Sequence, residues 1–547
     1  MYDYEIASQA TMLPISKVAE RLGVGSYSQY GDYIAKLPHI LIDEEKIAKS
    51  HLILVTAITP TPAGEGKTTT SIALVDAMNK LGYKAVAALR EPSLGPVFGR
   101  KGCATGGGRS QINPMIDINL NFTGDFSAIE HAHNLLAAAI DNYIYFNTKH
   151  DRQLVAESIR WKRVMDMNDR SLRDIRINNC GRYERSTGFD ITAASELMAI
   201  VCLSNDVDDL KRRIDNIYVG KFSDGTVCRA KDLNVTGAML ALLKDAVKPN
   251  LVQTLENNPV ILHGGPFANI AQGTSSLIGT KTAMSLADYV VTEAGFASDL
   301  GAEKFFNIKC REGKLKVSAV VLVATVRALK YHGGVGLPDI AEPNIEALVK
   351  GCEKNLSRHI GIIRTFGYDP VVVLNRFNTD TVEEIEAVRE YCEKSGVSMT
   401  VNEAYADGSE GALDFARTVV GSLDKKTPSY TYDLAEGNEE KIRKIVERIY
   451  KGRKAVFNGK AAEKIGRIAN DGAYVCMAKT QYSLSSDPKD TEYVAGSFDI
   501  EINDIEVAAG AKFIIPLVGD MLRMPGLPVI PNAEYIDLID DKVVGLV

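Results

Sequence analysis

Apolar and polar residues alternate along this chain in the pattern of buried strands that are each followed by an amphipathic helix. The apolar runs are short and rich in β-branched residues, which is typical of strands inside a parallel sheet. They lie at 52–58, 84–89, 260–262, 288–292 and 319–324. Apolar residues recur at helical spacing after Lys67 and at 128–150 and 191–203. This order of elements predicts an α/β fold with a doubly wound, mostly parallel sheet.

A further block of the same pattern begins at Pro370, followed by a tail of different character. In the block, strands and helices alternate at 371–374, 382–394, 398–401 and 411–421. After a polar segment, the tail combines a charged helix at 439–451 with strands near 474–477 and 513–518. We therefore predict a large first domain and two smaller α/β or α+β domains, with boundaries 1–355, 356–427 and 428–547.

The best-defined candidate site is the turn between the first strand and its helix. Glycines let a phosphate approach the backbone, and the helix N-terminus that follows offers unpaired N–H groups. Lys67 is placed to reach the outer phosphates of a nucleoside triphosphate, and Thr68 to bind Mg²⁺. Thr61 departs from G-x-x-x-x-G-K-[ST], since it stands at the first glycine position. The sheet is therefore expected to be P-loop NTPase-like, with ATP bound by Thr61, Pro62, Ala63, Gly64, Glu65, Gly66, Lys67, Thr68 and Thr69.

Charged residues also follow later strands of the predicted sheet. Arg90 comes at the carboxyl end of the strand 84–89, which is the edge where ligands bind in open parallel sheets. Residues 117–122 alternate apolar and polar side chains, so we predict a strand there that leads to Asp125, another strand-end acid. The loop 99–109 between them is dense in glycine and positive charge. It is either a linker or a loop ordered by an anion.

Composition narrows the class of function. The 547 residues carry a formal net charge of -7, which argues against a nucleic-acid surface as the main function. The apolar stretches are much shorter than the roughly 20 residues of a membrane span, and the N-terminus lacks the apolar core of a signal peptide. The eight cysteines show no C-x-x-C pattern, so we expect reduced thiols in a cytoplasmic protein that binds small molecules.

Several long blocks resemble one family essentially end to end. Besides TPTPAGEGKTT at 59–69, they include ALREPSLGP at 88–96, NFTGD at 121–125, HGGPFANIA at 263–271, LADYVVTEAGF at 286–296, VATVRALKYHGG at 323–334 and MPGLP at 524–528. They are similar to formate-tetrahydrofolate ligase, also called formyltetrahydrofolate synthetase. That family joins formate to the N10 nitrogen of tetrahydrofolate with hydrolysis of ATP to ADP and phosphate, giving 10-formyltetrahydrofolate.

The resemblance implies a role for each matching residue. Formate would first be phosphorylated to formyl phosphate, because phosphate leaves far more readily than oxide, and the folate amine would then attack. Lys67 would steady the γ-phosphate, Arg90 would hold formate and then formyl phosphate, and Asp125 would act near the reacting amine. Mg²⁺ would neutralise the charge that develops during transfer. Phe377 and Tyr405 match the two aromatic positions that sandwich the pterin.

The resemblance also assigns a task to each predicted domain. Residues 1–355 would bind nucleotide and formate, residues 356–427 would be a βαβα folate-binding domain, and residues 428–547 would be a C-terminal α+β domain. It further implies a homotetramer that is activated by monovalent cations. In all of this the partners are small molecules, with no nucleic acid and no membrane.

The glycine-rich loop is where this chain diverges from the family pattern. The family loop resembles KGGAAGGGY, whereas this chain has Cys103 for a glycine, Thr105 for an alanine and Arg109 for a tyrosine. Gln272 lies where the family often reads AHGxNS, and Tyr405 where it often has tryptophan. A side chain where the family has none can narrow a site, and an added arginine changes the anion field.

Three functions fit this sequence. The first is the ligation of formate to tetrahydrofolate. The second is a ligase or kinase on the same scaffold that acts on another small carboxylate or amine, which the altered loop would allow. The third is a non-catalytic nucleotide-binding relative, against which the retained Lys67, Arg90 and Asp125 argue.

Overall fold

The computed structural model describes residues 2–62, 64–178, 183–491, 493–519 and 521–546, and their largest unit is a 12-stranded sheet. The strands in chain order are β1 (Ser28–Tyr30), β2 (Ile34–Lys36), β3 (His51–Ala57), β4 (Ala85–Leu89), β5 (Gly106–Gly107), β6 (Ser110–Asn113), β7 (Arg163–Met165), β8 (Ile175–Asn178), β9 (Glu184–Thr187), β10 (Phe189–Ile191), β11 (Tyr218–Lys221), β12 (Val227–Arg229), β13 (Asn250–Thr254), β14 (Pro259–Leu262), β15 (Tyr289–Glu293), β16 (Ala319–Ala324), β17 (Val371–Asn375), β18 (Met399–Asn402), β19 (Ala455–Phe457), β20 (Tyr474–Val475), β21 (Ile500–Ala508), β22 (Phe513–Val518), β23 (Asp537–Ile539) and β24 (Lys542–Val544).

Helices cover both faces of this sheet. In chain order they are α1 (Asp3–Gln9), α2 (Ile15–Leu22), α3 (Glu44–Lys49), α4 (Lys67–Lys80), α5 (Leu94–Phe98), α6 (Met115–Asn119), α7 (Asp125–Tyr145), α8 (Glu196–Leu203), α9 (Val207–Asp215), α10 (Thr236–Leu243), α11 (Leu277–Leu286), α12 (Arg311–Gly313), α13 (Val326–His332), α14 (Ile345–Gly351), α15 (Ser357–Thr365), α16 (Val382–Lys394), α17 (Ala404–Asp407), α18 (Leu413–Gly421), α19 (Asn438–Ile445) and α20 (Gly459–Ile465). Wider π-helical turns occur at Ser298–Ala302, Phe305–Cys310, Cys352–Leu356 and Val446–Tyr450.

The centre of the large sheet is parallel. From β14 the order is β14-β4-β15-β3-β16-β17-β18, and each neighbouring pair in this stretch runs in the same direction. At the other end, β13 pairs antiparallel with β14, β2 and β6. The prediction of an α/β fold with a large, mostly parallel sheet is therefore confirmed.

The core lies on both sides of this parallel centre, which explains why its strands are apolar without alternation. Every residue of β16 is buried, as is every residue of β3 after His51. Apolar residues of α4 pack on one face of the sheet, while α11 and α13 pack on the other. Strands that are covered on both faces carry continuous apolar runs.

Most predicted elements occur where the pattern placed them. The strand at 319–324 and the helix at 382–394 have the predicted limits. Strands β17 and β18, from the block predicted to bind folate, continue the sheet that contains the P-loop strand. The tail forms a separate four-stranded sheet in the order β19-β21-β22-β20. The division into three domains stays a prediction.

The strand predicted at 117–122 is wrong. Met115–Asn119 form the short helix α6 instead, and its buried side chains Met115 and Ile118 are three residues apart, as on one helical face. Asp125 consequently follows no strand. It is the first residue of α7, after Gly124 in the left-handed conformation at φ 83°.

The helix predicted at 191–203 begins later than expected. Phe189–Ile191 form β10, and the helix starts at Glu196 because the Ser195 hydroxyl accepts a hydrogen bond from the Met198 N–H at 3.0 Å. Among the described residues, none of the helices combines the length and apolar character needed to cross a membrane. The cysteines within the described ranges are free thiols.

Candidate active site

The predicted nucleotide loop joins β3 to α4 at the carboxyl edge of the sheet. Gly64 and Gly66 have φ of 86° and 73°, a backbone region that glycine adopts without strain. Lys67 and Thr68 are the first two residues of α4, so their N–H groups lie in the unpaired first turn. Thr61 is buried, Pro62 is exposed and Thr69 is half-buried. Ala63 lies outside the described residues.

The loop is fixed by the buried carboxylate of Glu65. Its Oε1 accepts a hydrogen bond from the Thr61 N–H at 2.7 Å, and its Oε2 accepts one from the Thr325 hydroxyl. Burial raises the pKa of Glu65 above its ordinary value. This side chain therefore closes the loop on itself and ties it to the start of α13, where Thr325 is the N-cap.

Asn375 links the nucleotide loop to the strands predicted to carry folate residues. It lies at the end of β17, and its Nδ2 donates to the Glu65 carbonyl at 2.8 Å. Its Oδ1 accepts from the Thr70 hydroxyl at 3.0 Å and from Asn402 at the end of β18 at 2.8 Å. One side chain thus holds β17, β18 and the first turn of α4 together.

Glu293 stands between the nucleotide loop and Arg90. Its Oε2 accepts a hydrogen bond from the Thr68 hydroxyl at 2.8 Å, and its Oε1 lies 3.2 Å from Arg90 Nη2. Burial alone would raise the pKa of Glu293, but Arg90, the Thr68 hydroxyl and Lys67 together lower it below its ordinary value. Glu293 is therefore an ionised carboxylate that connects the predicted ATP and formate residues.

Two lysines face this carboxylate. Burial lowers the pKa of Lys67 to about 8, although Glu293 opposes that shift. Burial and the charge of Arg90 lower the pKa of Lys101 as well, again against Glu293. The charges of Lys67, Arg90 and Lys101 thus all act on Glu293, and an excess of positive charge in a cleft attracts anions.

Arg90 is held in place by backbone as well as charge. Its Nη1 donates to the Pro266 carbonyl at 3.2 Å, and its buried Nε has no acceptor among the described residues. Gly295 packs against the guanidinium so closely that a Cβ there would lie 2.8 Å from Nη1. The unpaired Nε–H leaves Arg90 with an unused donor for a bound carboxylate or phosphate.

Asp125 belongs to a different network. Its Oδ1 lies 2.5 Å from the ammonium of Lys36, and its Oδ2 accepts from Asn250 Nδ2 at 2.8 Å. The same amide also donates to Glu91 Oε1 at 3.3 Å. Burial raises the pKa of Glu91 well above its ordinary value, and the charge of Asp125 adds to that shift. Within the described residues, these contacts therefore connect Asp125 to the residue after Arg90 but not to the nucleotide loop.

A cavity of about 400 Å³ lies beside this network. Its lining includes the carboxylates of Glu91, Asp125, Glu130 and Asp166. Burial raises the pKa of Asp166 to about 6, even though Asp166 accepts a 2.6 Å hydrogen bond from the Ser93 hydroxyl. Among the described residues, these carboxylates do not form a group of three or more that could hold a metal ion.

The two predicted folate aromatics follow the neighbouring strands β17 and β18. Phe377 is half-buried, and the guanidinium of Arg327 lies 4.2 Å from its ring centroid. Tyr405 is 58% exposed. Because β17 and β18 are parallel neighbours and Asn375 anchors both beside the nucleotide loop, both rings lie at the same edge of the sheet as the phosphate residues.

Tyr405 explains the glycine run of the divergent loop. A Cβ at Gly107 would lie 3.1 Å from the Tyr405 ring, and a Cβ at Gly108 would lie 2.1 Å from the Tyr405 carbonyl oxygen. Asp3 of the N-terminal helix accepts the Gly108 N–H at 2.9 Å and the Tyr405 hydroxyl at 3.3 Å. Only glycines let the backbone approach the ring this closely.

The other divergent positions lie deeper. The Thr105 hydroxyl accepts a 2.9 Å hydrogen bond from Asn119 in α6, and Cys103 is a half-buried thiol whose pKa burial raises to about 12. Gln272 is fully buried, and within the described ranges neither its Oε1 nor its Nε2 has a hydrogen-bond partner. Thr105 and Cys103 therefore support the loop, while Gln272 carries unused polar atoms next to the Gly273–Gly295 contact.

Sequence reasoning missed Glu293, Lys36 and Asn375. The signal for Glu293 was present, because it ends a buried strand at the edge where ligands bind. Its partner Thr68 is 225 residues away in the chain, and only the sheet order places β15 beside β3. Lys36 carried no comparable signal, since its strand joins the sheet through the distant β13.

Comparison with known proteins gives a consistent result. A sequence model of the family described as formate-tetrahydrofolate ligase matches residues 1–547. A protein of that name from Bacteroides thetaiotaomicron is 50% identical over 555 residues, which cover 100% of this chain and 99% of the relative. Proteins of the same name from Methylibium petroleiphilum and Sphingobium sp. are also 50% identical, covering 100% and 98% of this chain and 99% and 97% of theirs.

Proposed function

The chain belongs to the formate-tetrahydrofolate ligase family, an enzyme family that joins formate to tetrahydrofolate with ATP, and we propose how its residues divide that reaction. One side of the site, built around Glu293, phosphorylates formate. The other side, built around the two aromatic rings, presents N10 of tetrahydrofolate. The formate oxygen attacks the γ-phosphorus and ADP leaves; the amine then attacks the formyl carbon, phosphate leaves, and the amine loses its proton.

Arg90 binds formate and keeps hold of it as formyl phosphate. The unpaired Nε–H and the 3.2 Å contact between Nη2 and Glu293 support this role. A planar guanidinium can offer parallel N–H groups to a carboxylate and then to a phosphate without moving. Arg90 thereby restricts the acceptor oxygen to one position next to the γ-phosphate.

Lys67 and Lys101 hold the transferred phosphoryl group. Both act on Glu293 and on each other through their charges. In the transfer, negative charge spreads over the equatorial oxygens, and fixed cations stabilise that charge without reorganising. We therefore propose that Lys67 binds the γ-phosphate of ATP and that Lys101 binds the phosphoryl group during its transfer to formate.

Thr68 and Glu293 fit a magnesium ion. Their oxygens already lie 2.8 Å apart at the nucleotide loop, and Mg²⁺ in phosphate sites is bound by one or two carboxylates together with the phosphates. When bound, Mg²⁺ would neutralise charge on the β- and γ-phosphates. In its presence the Thr68 hydroxyl would exchange its carboxylate partner for the ion.

On the folate side, Phe377 and Tyr405 receive the pterin between their rings, a use of flat aromatic surfaces that suits a flat heterocycle. The shared edge of β17 and β18 supports this, as does the open side of the Tyr405 ring. Asp125 acts through the Lys36–Asn250–Glu91 network near the reacting amine. The activating monovalent cation is proposed on the resemblance alone.

Three further properties complete the proposal. The parallel order around β3 and its loop supports a P-loop NTPase-like, doubly wound sheet. A homotetramer is proposed on the resemblance alone, and sedimentation equilibrium of the full chain gives a direct reading of it. The scattered, unpaired cysteines of the described ranges support a cytoplasmic enzyme.

The observation that carries the proposal is that one carboxylate, Glu293, contacts both Thr68 and Arg90. The test is a steady-state assay for 10-formyltetrahydrofolate in which ATP, Mg²⁺, formate and tetrahydrofolate are omitted in turn. Product is expected only when all four are present. Product at an undiminished rate without formate would contradict the assignment. Hydroxylamine converts an acyl phosphate to a hydroxamate, so hydroxamate formed from acids other than formate would indicate a different carboxylate substrate.

A further inference from the structure

A second cavity, of about 560 Å³, shares no lining residue with the candidate active site. Its walls come from three elements, which are the end of α9, the turn after β12 and the turn between β21 and β22. Five cationic side chains and two carboxylates line it, although the whole chain has a formal net charge of -7. The cavity therefore concentrates positive charge on an otherwise acidic protein.

Three of these cations are exposed lysines that form no ion pair with another described residue. They are Lys211 on α9, Lys231 after β12 and Lys512 before β22. Sequence proximity does not explain why they line one cavity, because the three come from separate parts of the chain. Their ammonium groups are available to an anion from solvent.

Hydrogen bonds at Asn216 hold the three walls of this cavity together. Its Nδ2 donates to the Ala509 carbonyl at 2.9 Å, and its carbonyl accepts from Arg229 Nη1 at 2.8 Å. The turn also approaches α9 closely, since a Cβ at Gly510 would lie 2.5 Å from the Arg213 carbonyl oxygen. Only glycine permits that approach. The cavity is therefore preformed, and a ligand does not have to order its walls.

Arg213 forms the buried part of this lining. Its side chain is 2% exposed, its Nε donates to Asp209 at 3.0 Å, and its Nη2 donates to Glu312 at 2.6 Å. Its Nη1 is buried and has no acceptor among the described residues. Two carboxylates thus fix the plane of the guanidinium and leave one nitrogen for an occupant. A buried donor without an acceptor costs free energy, so an anion that reaches it gains a charge-assisted hydrogen bond.

This arrangement favours an anion that carries several charges at once. A singly charged ion could meet one lysine only, and the lining carboxylates Asp208 and Asp215 would repel it. An oligophosphate carries negative charge on each phosphate and can reach several lysines together. Lysine binds phosphate as a point charge, whereas a planar carboxylate suits the fork of an arginine better. The volume lies in the range of about 300–1,000 Å³ that is usual for small-molecule sites.

We propose that this cavity binds an oligophosphate anion, either free or as the phosphate tail of a nucleotide, at a site separate from the candidate active site. Lys211, Lys231 and Lys512 bind the phosphates, and Arg213 donates from the buried side. The proposal goes beyond the proposed function and does not depend on it, since no residue of this lining has a role in that reaction.

The test is isothermal titration calorimetry of the full chain with inorganic triphosphate. The background is Lys67→Ala, which weakens binding at the nucleotide loop. We expect one triphosphate to bind per chain at the cavity. Adding Lys211→Gln, Lys231→Gln and Lys512→Gln together should raise its Kd about tenfold, since one exposed ion pair contributes about two- to fivefold. Added salt should weaken the binding that these lysines support.

Two further titrants identify the ligand class in the same background. ATP that binds at the cavity more tightly than triphosphate would identify a nucleotide, and equal affinities would identify the free oligophosphate. Either result supports the proposal. Citrate, whose charges are on carboxylates, should bind more weakly than triphosphate. Equal affinity for citrate would overturn the assignment to phosphate.

Lys460→Gln is the matched control, since Lys460 is an exposed lysine on α20 that forms no ion pair within the described residues. It should leave the Kd unchanged. With Lys67 restored, the triple lysine variant should keep kcat and KM for ATP, because the cavity is separate from the candidate active site.

Three results would overturn the proposal. They are triphosphate binding that is lost entirely in Lys67→Ala, a Kd that the triple variant leaves unaltered, and a KM for ATP that the triple variant raises. The titrations need no turnover, so they decide the proposal even if the wild type forms no product.

Discussion

The two sides of the candidate site are built from different kinds of contact. On the phosphate side, charged side chains meet: Glu293 binds Thr68 at 2.8 Å and Arg90 at 3.2 Å, largely out of water. On the folate side, a 58% exposed Tyr405 ring packs against the backbone of Gly107 and Gly108. Charge interactions therefore position the side chains of the phosphate side, whereas close contact with the backbone positions Tyr405 on the folate side.

This difference explains which changes each side tolerates. The phosphate side should not accept the loss of a charge, because each removal leaves a buried partner unpaired. The proposed folate side has Tyr405 where the family often has tryptophan, so we expect other aromatic residues to function at this position. What it should not accept is a Cβ on the glycines that support the ring. The predictions below separate the two sides on these grounds.

The largest effect is expected at Arg90. Arg90→Ala should lower kcat/KM for formate by about 1,000-fold or more, as for other arginines that stabilise a transferring phosphoryl group. KM for tetrahydrofolate should change little, because the proposed folate residues Phe377 and Tyr405 contact neither Arg90 nor Glu293 within the described residues. Steady-state kinetics with each substrate varied provides the measurement. The control is Arg417→Ala, which removes an exposed arginine paired with Asp414 on α18. A loss shared equally between formate and tetrahydrofolate would remove the distinction between the two sides.

Glu293→Gln should have the next largest effect, because it keeps the shape of the side chain and removes the charge. We expect a loss of about 100- to 1,000-fold in kcat, comparable to losing one preorganised electrostatic contact. The concentration of Mg²⁺ needed for half-maximal rate should also rise, since Thr68 and Glu293 are the proposed ligands. A variant with an unaltered Mg²⁺ requirement would show that Glu293 only positions Arg90.

Gly108→Ala tests the folate side. Gly108 has φ 59°, and the added Cβ would lie 2.1 Å from the Tyr405 carbonyl oxygen. Strain of about 1–3 kcal/mol is typical of such positions, so KM for tetrahydrofolate should rise by about five- to 100-fold while KM for formate stays constant. The control is Gly361→Ala in α15, where the new Cβ meets open space. That substitution should leave both constants unchanged and stabilise the fold slightly.

The smallest effect is a pH dependence that belongs to the phosphate side. Lys67 must be charged to bind the γ-phosphate, and burial lowers its pKa to about 8. The charged form is therefore present below pH 8, and kcat/KM for ATP should fall by up to about tenfold per pH unit above it. In the pH profile of kcat, this fall should begin at a higher pH than in the profile of kcat/KM, because bound phosphate favours the charged form of Lys67. The affinity for tetrahydrofolate, measured by fluorescence, should not fall in this way above pH 8.

The sequence predicted the elements that carry the candidate site better than the contacts between them, for a physical reason. Buried parallel strands are apolar along their whole length, so β3 and β16 could be located within a residue or so. The loop between β3 and α4 is local, so a nucleotide-binding role could be predicted for it from residues close in the chain. The contact between Glu293 and Thr68 was out of reach because it spans 225 residues and depends on the sheet order.

The errors around Asp125 have a related cause. Six alternating residues at 117–122 fit a strand, but Met115–Asn119 form α6, and α7 begins at Asp125 after Gly124. The partner of Asp125 is Lys36, 89 residues earlier on β2. The glycine run of the divergent loop could be recognised as unusual, but its cause, the Tyr405 ring, follows a strand nearly 300 residues later.

Positional isotope exchange in ATP tests the central claim most directly, because it reports phosphoryl transfer to formate without any folate. ATP labelled in the β,γ-bridge should scramble its label in the wild type only when formate and Mg²⁺ are present. Arg90→Ala should abolish this scrambling, and Gly108→Ala should retain it while losing tetrahydrofolate affinity. Scrambling that survives in Arg90→Ala but disappears in Gly108→Ala would contradict the account.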